Sequence, residues 1–293
     1  MEIFLQTLTN GVMSSLTLIL IAIGLCLIFG ILDIINFAHG EFYMLGGFGV
    51  WWFLEAHPFM SGLPVLVSYV VAVALTMVIV ALIGVVTEKF IFRPVHETHA
   101  TVMIVSLGVM FVLQALALVS FGPVDKTVSS PFVGLVELGP ISFSNERLAA
   151  IFSCIIFIVI LYVIIDKTKL GKAMRAVAQD YEAAQVQGIN TGLIFSLAMG
   201  ISCAIAAAGG ALVGPIYYIN PYMGVEPIMK AFAAVILGGL GSLPGAVIGG
   251  FIIGLTETFV STYVGAHFAL LMVFLIMIGV LIVKPTGIFG HEE

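Results

Sequence analysis

Leu8-Thr-Asn-Gly-Val-Met-Ser-Ser-Leu-Thr-Leu-Ile-Leu-Ile-Ala-Ile-Gly-Leu-Cys-Leu-Ile-Phe-Gly-Ile-Leu32 runs without one charged side chain. A bilayer's hydrocarbon core is about 30 Å thick and takes about 20 apolar residues to cross as a helix, so this stretch is long enough. No basic segment precedes it, and it exceeds the roughly 7–15 apolar residues of a secretory signal. It therefore reads as a first spanning helix. Working outward, residues 63–86, 101–121, 148–165, 193–219 and 267–283 qualify by the same test. Residues 42–54 form a shorter, glycine-broken run. Residues 228–260 are too long for one helix and are interrupted at Gly238-Gly239-Leu240-Gly241-Ser242-Leu243-Pro244-Gly245. The expected fold is all-α: a polytopic integral membrane bundle of about 8–9 membrane segments with glycine-broken or re-entrant elements. Residues 1–293 form a single transmembrane domain.

Composition excludes the soluble alternatives. Hydrophobic residues make up 61% of the 293-residue chain and charged ones 9%, against about 45–50% and about 25% in soluble domains. The formal net charge of -6 rules out a basic nucleic-acid footprint. No Walker P-loop, HExxH, GxSxG or dinucleotide glycine fingerprint occurs, so the chain is not expected to be an enzyme or to hydrolyse ATP itself. Cys26, Cys154 and Cys203 each lie in an apolar run without metal-type spacing and read as buried, inert thiols. His96 and His99 fall in a loop after the third span, where solvation is a better account than metal binding.

The basic residues give an orientation. Lys89 and Arg93 follow the third span, Lys167, Lys169, Lys172 and Arg175 the fifth, and Lys284 the last. The positive-inside rule makes these regions cytoplasmic, with the N-terminus and 122–147 outside and the C-terminus cytoplasmic. Residues 166–192 form a cytoplasmic loop within the domain. Parity then requires 228–260 to cross twice or turn back without crossing. Small residues at Ser202, Ala206, Gly210 and Gly214, and at Gly241, Gly245 and Gly249, recur every four positions, as close helix packing in lipid demands.

Three features could carry chemistry. In Asp33-Ile34-Ile35-Asn36-Phe37-Ala38-His39-Gly40-Glu41, the polar residues Asn36, His39 and Glu41 are costly at membrane depth unless paired or hydrated. A hydrogen-bonded knot, a pathway element and a plain turn all remain open for this stretch. Lys172-Ala-Met-Arg-Ala-Val-Ala-Gln-Asp-Tyr-Glu-Ala-Ala-Gln-Val-Gln187 reads as one helix of mixed charge ending at Gly188, a C′ glycine. Ala173, Val177, Tyr181 and Ala184 share one face, with Arg175, Asp180 and Glu182 away from its centre; the helix suits either a membrane surface or a partner protein. Glu257 stands alone among apolar residues near the end of a span, with Glu226 and Lys230 at the other end of that region. It is either a functional residue or one reaching the interface.

Several of these stretches together resemble one family. Ile35-Asn36-Phe37-Ala38-His39-Gly40-Glu41 is similar to the signature of the permeases of branched-chain amino acid ABC importers. Arg175-Ala-Val-Ala-Gln-Asp180, with Glu182-Ala183-Ala184 and Gly188-Ile189-Asn190, resembles that family's cytoplasmic coupling segment. Leu237-Gly-Gly-Leu-Gly-Ser-Leu-Pro-Gly-Ala-Val-Ile-Gly-Gly250 resembles its glycine-rich membrane signature, and Lys284-Pro-Thr-Gly-Ile-Phe-Gly290 its closing motif. The likeness runs almost the whole chain and is most like the LivH-type subunit. It implies half of a translocation pathway for branched-chain or related amino acids in a bacterial or archaeal inner membrane. It implies a second, LivM-like permease, two ATP-binding subunits and an extracytoplasmic solute-binding protein as partners. ATP would be bound by the partner subunits, with no cofactor in this chain. Arg175, Asp180, Glu182, Ala183 and Gly188 would belong to the coupling helix. Asn36, His39, Gly40, Glu41, Gly238, Gly239 and Gly241 match the membrane signatures, and Glu257 is a further pathway candidate. The competing reading is a self-contained, ion-coupled secondary transporter or channel, with Glu257, Glu41 or Asp33 relaying protons.

Overall fold

The computed structural model describes residues 2–57, 62–95, 99–138 and 141–290; His96 lies outside them. The chain is helical almost throughout. Among the described residues, seven helices are long and apolar enough to cross a membrane. They are α1 (Glu2–Leu32), α3 (Val65–Thr87, prolonged by a π turn over Glu88–Phe92 and a 3-10 turn over Arg93–Val95), α4 (His99–Phe121), α5 (Asn145–Lys167), α8 (Thr191–Val213), α10 (Leu243–Tyr263) and α11 (Ala266–Val283). Two helices fall short of these: α2, His39–Trp51, prolonged by a π turn over Trp52–Ala56, and the half-length α9, Val225–Gly238. At 1.5 Å per residue α9 reaches only about 20 Å and α2 with its π turn about 27 Å. Seven full spans and two shorter helices fit the expected polytopic bundle, although α2 runs unbroken through Gly46, Gly47 and Gly49.

Burial separates a central helix from a lipid-facing rim. The most apolar stretch of α1 is 83% buried inside the protein, whereas those of α5 and α11 are 22% and 11% buried. Val78 and Leu82 of α3, Phe111 and Val119 of α4, Ile156 of α5 and Ile282 of α11 point outward. In water that apolar belt would drive aggregation. In hydrocarbon it is the natural surface.

Contacts fix the helix directions. Ser15 meets Gly254, Ile19 meets Gly250 and Gly30 meets Gly241, so α1 and α10 run antiparallel. The α3–α8 pair is likewise antiparallel: Tyr69 Oη donates to the Ala211 carbonyl at 3.1 Å near one end, and Arg93 Nη2 to the Gly192 carbonyl at 2.7 Å near the other. Chain segments 1–121 and 191–283 thus follow the same order: long helix, half-helix, long helix, long helix, with α1 packed on α10 and α3 on α8. The three basic regions gather at one end of this bundle: α3 ends beside the start of α8, α6 (Lys169–Gln179) packs on α1 and α8, and residues 288–289 bond to the end of α9.

The structure also departs from the sequence reading. Helix α8 stops at Val213 rather than 219, because Pro215 has no amide to donate to the Ala211 carbonyl, which accepts from Tyr69 Oη instead. The 228–260 region resolves into α9 and α10 folded back on each other through 239–242, with α9 too short to cross. The 122–147 loop contains an antiparallel hairpin, β1 (Leu135–Leu138) paired with β2 (Ile141–Ser144). The helix expected over 172–187 is two helices, α6 (Lys169–Gln179) and α7 (Tyr181–Val186), because Asp180 is extended (φ -157°, ψ 105°).

Candidate functional site

Both half-helices start from the same local device. In 33–38 the chain leaves α1 irregularly, and the Asn36 Oδ1 accepts from the Ala38 amide at 3.0 Å just ahead of α2. In 214–224 it leaves α8 irregularly, and Asn220 Oδ1 accepts from the Tyr222 amide at 3.0 Å ahead of α9. Short Asn side chains favour such turns by bonding their own backbone two residues on. Four residues after each Asn comes a glycine, Gly40 or Gly224, and these two glycines meet. A methyl group on either would run into the backbone of the other. The two half-helices therefore begin back to back inside the bundle. Irregular backbone at such a place is tolerated only because protein surrounds it.

A polar knot surrounds the start of α2. Asn36, His39 and Glu41 are each fully buried. Gln114 Nε2 of α4 donates to Glu41 Oε1 at 2.8 Å, and Ser106 Oγ accepts from the Phe37 amide at 3.1 Å. His39 lies against Gly24, where no larger residue fits: a Cβ would stand 2.8 Å from Nε2. Asn36 Nδ2, both His39 ring nitrogens, Glu41 Oε2, Thr76 Oγ1 and Ser202 Oγ find no hydrogen-bond partner; the Ile21 carbonyl faces His39 without hydrogen-bonding geometry. Leaving such atoms dry costs about 1–3 kcal/mol each. Ordered water is what ordinarily satisfies them in a protein interior.

The start of α9 carries charge instead. Lys230 is 8% exposed and its Nζ lies 2.5 Å from both Glu226 Oε1 and Glu257 Oε1. Glu257, solitary in the sequence, is thus partnered across α9 and α10. The triad lines a cavity of about 460 Å³ at the junction of the half-helices, with Tyr43, Tyr217, Asn220 and Tyr222 around it. A second polar cavity of about 220 Å³ shares Ser14, Tyr217 and Glu257 with the first and extends to Asn10 and Arg147, which are bonded to each other.

The glycine-rich signature serves close packing. Gly238 of α9 and Gly245 of α10 press backbone on backbone. Gly239 (φ +105°) and Gly241 (φ +79°) occupy backbone conformations that side chains resist. The closing residues dock there: the amides of Ile288 and Phe289 donate to the Leu237 and Gly238 carbonyls, each at 2.9 Å.

At the basic end, Asp180 breaks the expected helix by capping α7: Oδ1 accepts from the Ala183 amide at 2.9 Å. Tyr181, Glu182, Ala183, Gln185 and Val186 are exposed, whereas Ala184 is buried. Tyr181 stacks on Phe195 of α8 at 5.8 Å, and Gly188 (φ +82°) ends the element. Arg175 turns back to donate to the Ile165 carbonyl, so it fastens α6 to the end of α5. Beside it lies a latch that the sequence did not signal as a unit. Arg93 grips the buried Glu88 through Nε and Nη2 at 2.9 and 2.7 Å and also donates to Ser196 Oγ at 2.8 Å. Ser196 Oγ in turn donates to Glu88 Oε2 at 2.6 Å. This latch joins α3 to α8 immediately after the α7 element.

The chain matches a family model described as branched-chain amino acid transport system / permease component over residues 7–281. It is 37% identical to the high-affinity branched-chain amino acid transport system permease protein LivH of Salmonella typhimurium, covering 99% of this chain and 96% of that one. It is 33% identical to BraD of Pseudomonas aeruginosa, described likewise, over 99% and 97%. It is 27% identical to the galactose/methyl galactoside import permease protein MglC of Escherichia coli, over 67% and 61%. No solved structure matches it.

Proposed function

The chain belongs to the family of branched-chain amino acid transport permeases, and from that premise we propose that it is one of two membrane-spanning subunits of an ABC importer. It forms half of the pathway for branched-chain or related amino acids, in a bacterial or archaeal inner membrane. A second, LivM-like permease completes the pathway, two ATP-binding subunits supply the energy, and an extracytoplasmic solute-binding protein delivers the substrate. The observation that carries this reading is the likeness to transport permeases across 99% of the chain. The polar cavities at the half-helix junction support it, since irregular backbone within a membrane belongs beside such a path.

The basic end is cytoplasmic in this reading, the N-terminus is outside, and α7 is the coupling element. Its exposed face of Tyr181, Glu182, Ala183, Gln185 and Val186 offers a short knob to an ATPase groove. The latch of Arg93, Glu88 and Ser196 passes movement of that knob to α3 and α8.

Reconstitution tests the reading. The assembled importer in liposomes takes up leucine only when ATP is supplied, and Glu182→Lys or Arg175→Glu abolishes uptake while membrane insertion persists. Robust leucine uptake by this chain alone under a proton gradient would instead establish the secondary-transporter reading.

A further inference from the structure

The charged triad has a composition that the permease reading leaves unexplained. A lysine and two carboxylates are expensive inside a bundle, and a pair retained for stability alone is commonly replaceable by apolar residues. Lys230 comes five positions after the start of α9, and Glu257 about 21 Å along α10, so both lie within the spanning region. An ammonium has three donors. Two are taken by Glu226 and Glu257, and the third finds no partner among the described residues. One positive charge is shared by two negative ones, so a carboxylate remains under-neutralised.

The cavity beside the triad is shaped unevenly. Lys230, Glu257, Glu226 and Asn220 make one part polar, and Leu18, Ile21, Val213 and Met223 make another apolar. Its volume of about 460 Å³ falls in the range of about 300–1,000 Å³ typical of small-molecule sites. It lies where α1, residues 213–223 and the start of α9 meet, with Tyr43 of α2 also lining it, and so spans the seam between segments 1–121 and 191–283. Membrane transporters built on repeated broken helices place their substrate sites at such seams.

We propose that Lys230 and Glu257 form a binding site for the main-chain groups of an α-amino acid in transit, with Leu18, Ile21 and Val213 receiving its aliphatic side chain. The Lys230 ammonium donates its third N–H to the substrate carboxylate, and the Glu257 carboxylate accepts from the substrate ammonium. Glu226, with its side chain 65% exposed, holds Lys230 in place as Glu257 turns to the ligand. The site selects zwitterions with a branched or straight aliphatic tail. The inference rests on the permease reading and specifies where in this subunit the substrate makes contact.

Ser14 lines both cavities and gives a direct probe, because Cys26, Cys154 and Cys203 are buried. In detergent-solubilised Ser14→Cys protein, millimolar leucine slows maleimide alkylation at least threefold. 4-Methylpentanoate and isoamylamine, each lacking one main-chain charge, do not. Equal alkylation rates with and without leucine, or equal protection by all three compounds, overturns the proposal. In the reconstituted importer, Lys230→Met lowers leucine uptake at least tenfold while ATP hydrolysis stimulated by the solute-binding protein persists, and Lys230→Arg restores part of the uptake. If the double variant Lys230→Met/Glu257→Gln instead recovers full uptake, the pair is only structural and the proposal falls. An unmodified importer that takes up no amino acid with ATP refutes the permease reading itself, a result that the alkylation assay does not produce.

Discussion

The two half-helices start alike and then diverge. Each follows an Asn-capped turn and a glycine four positions later, and Gly40 and Gly224 seat them against one another. Yet α2 opens into unpartnered or singly bonded polar groups around His39 and Glu41, whereas α9 opens into an ion triad around Lys230. The repeated geometry holds irregular backbone inside the bundle. The difference in chemistry gives one half a knot of unsatisfied polar atoms and the other a charged cavity wall. A repeat can thus keep its scaffold while its side chains take up separate tasks.

The largest expected effects test the shared scaffold. Gly210→Leu in α8 would drive a side chain into the Tyr43 carbonyl of α2, and Gly249→Leu in α10 would drive one into the Ala234 carbonyl of α9. Both should abolish the monodisperse peak on size-exclusion chromatography in detergent, whereas Gly108→Leu in α4, with open space around it, should retain it. A single-sided loss would show that only one half depends on close backbone contact.

Next comes the difference in chemistry. Lys230→Ala should destabilise the protein by about 2–3 kcal/mol in SDS titration, less than the about 3–5 kcal/mol of a fully buried pair because the Glu257 side chain keeps 25% of its exposure. Gln114→Ala should cost about 1–2 kcal/mol, the penalty of stranding one Glu41 oxygen. A larger loss for Gln114 than for Lys230 would reverse the contrast between the halves. The smallest effect concerns the element outside both: Asp180→Ala removes the cap of α7 and should cost about 1 kcal/mol. Hydrogen exchange of the Tyr181–Val186 amides should report it as faster local opening, with ATP-driven uptake reduced.

Much of this was legible in the chain. Charge-free runs located the spans because a bilayer imposes length and apolarity together, and Gly188, which follows the end of α7, was readable from its helix-stop position. The repeat of Asn and glycine at Asn36/Gly40 and Asn220/Gly224 was present as a signal but is too short to stand out in one sequence. The Glu88–Arg93–Ser196 latch was harder still, since Ser196 is 108 positions from its partner Glu88. Asp180 misled the helix reading: helix-forming neighbours favoured continuity, and only the capping bond to Ala183 shows that the chain breaks there.

By itself the sequence determined the membrane class, the number of hydrophobic runs and the clustering of basic residues, because these follow from transfer of side chains between water and lipid. Tertiary structure alone decided that Glu257 has a partner in Lys230, that α9 stops short of a full crossing, and that Gly238 and Gly245 bring two helix backbones into contact. Those outcomes depend on which surfaces meet when helices fold back on one another, Lys230 and Glu257 being 27 positions apart, and a local pattern carries no information about a neighbour that folding has yet to supply.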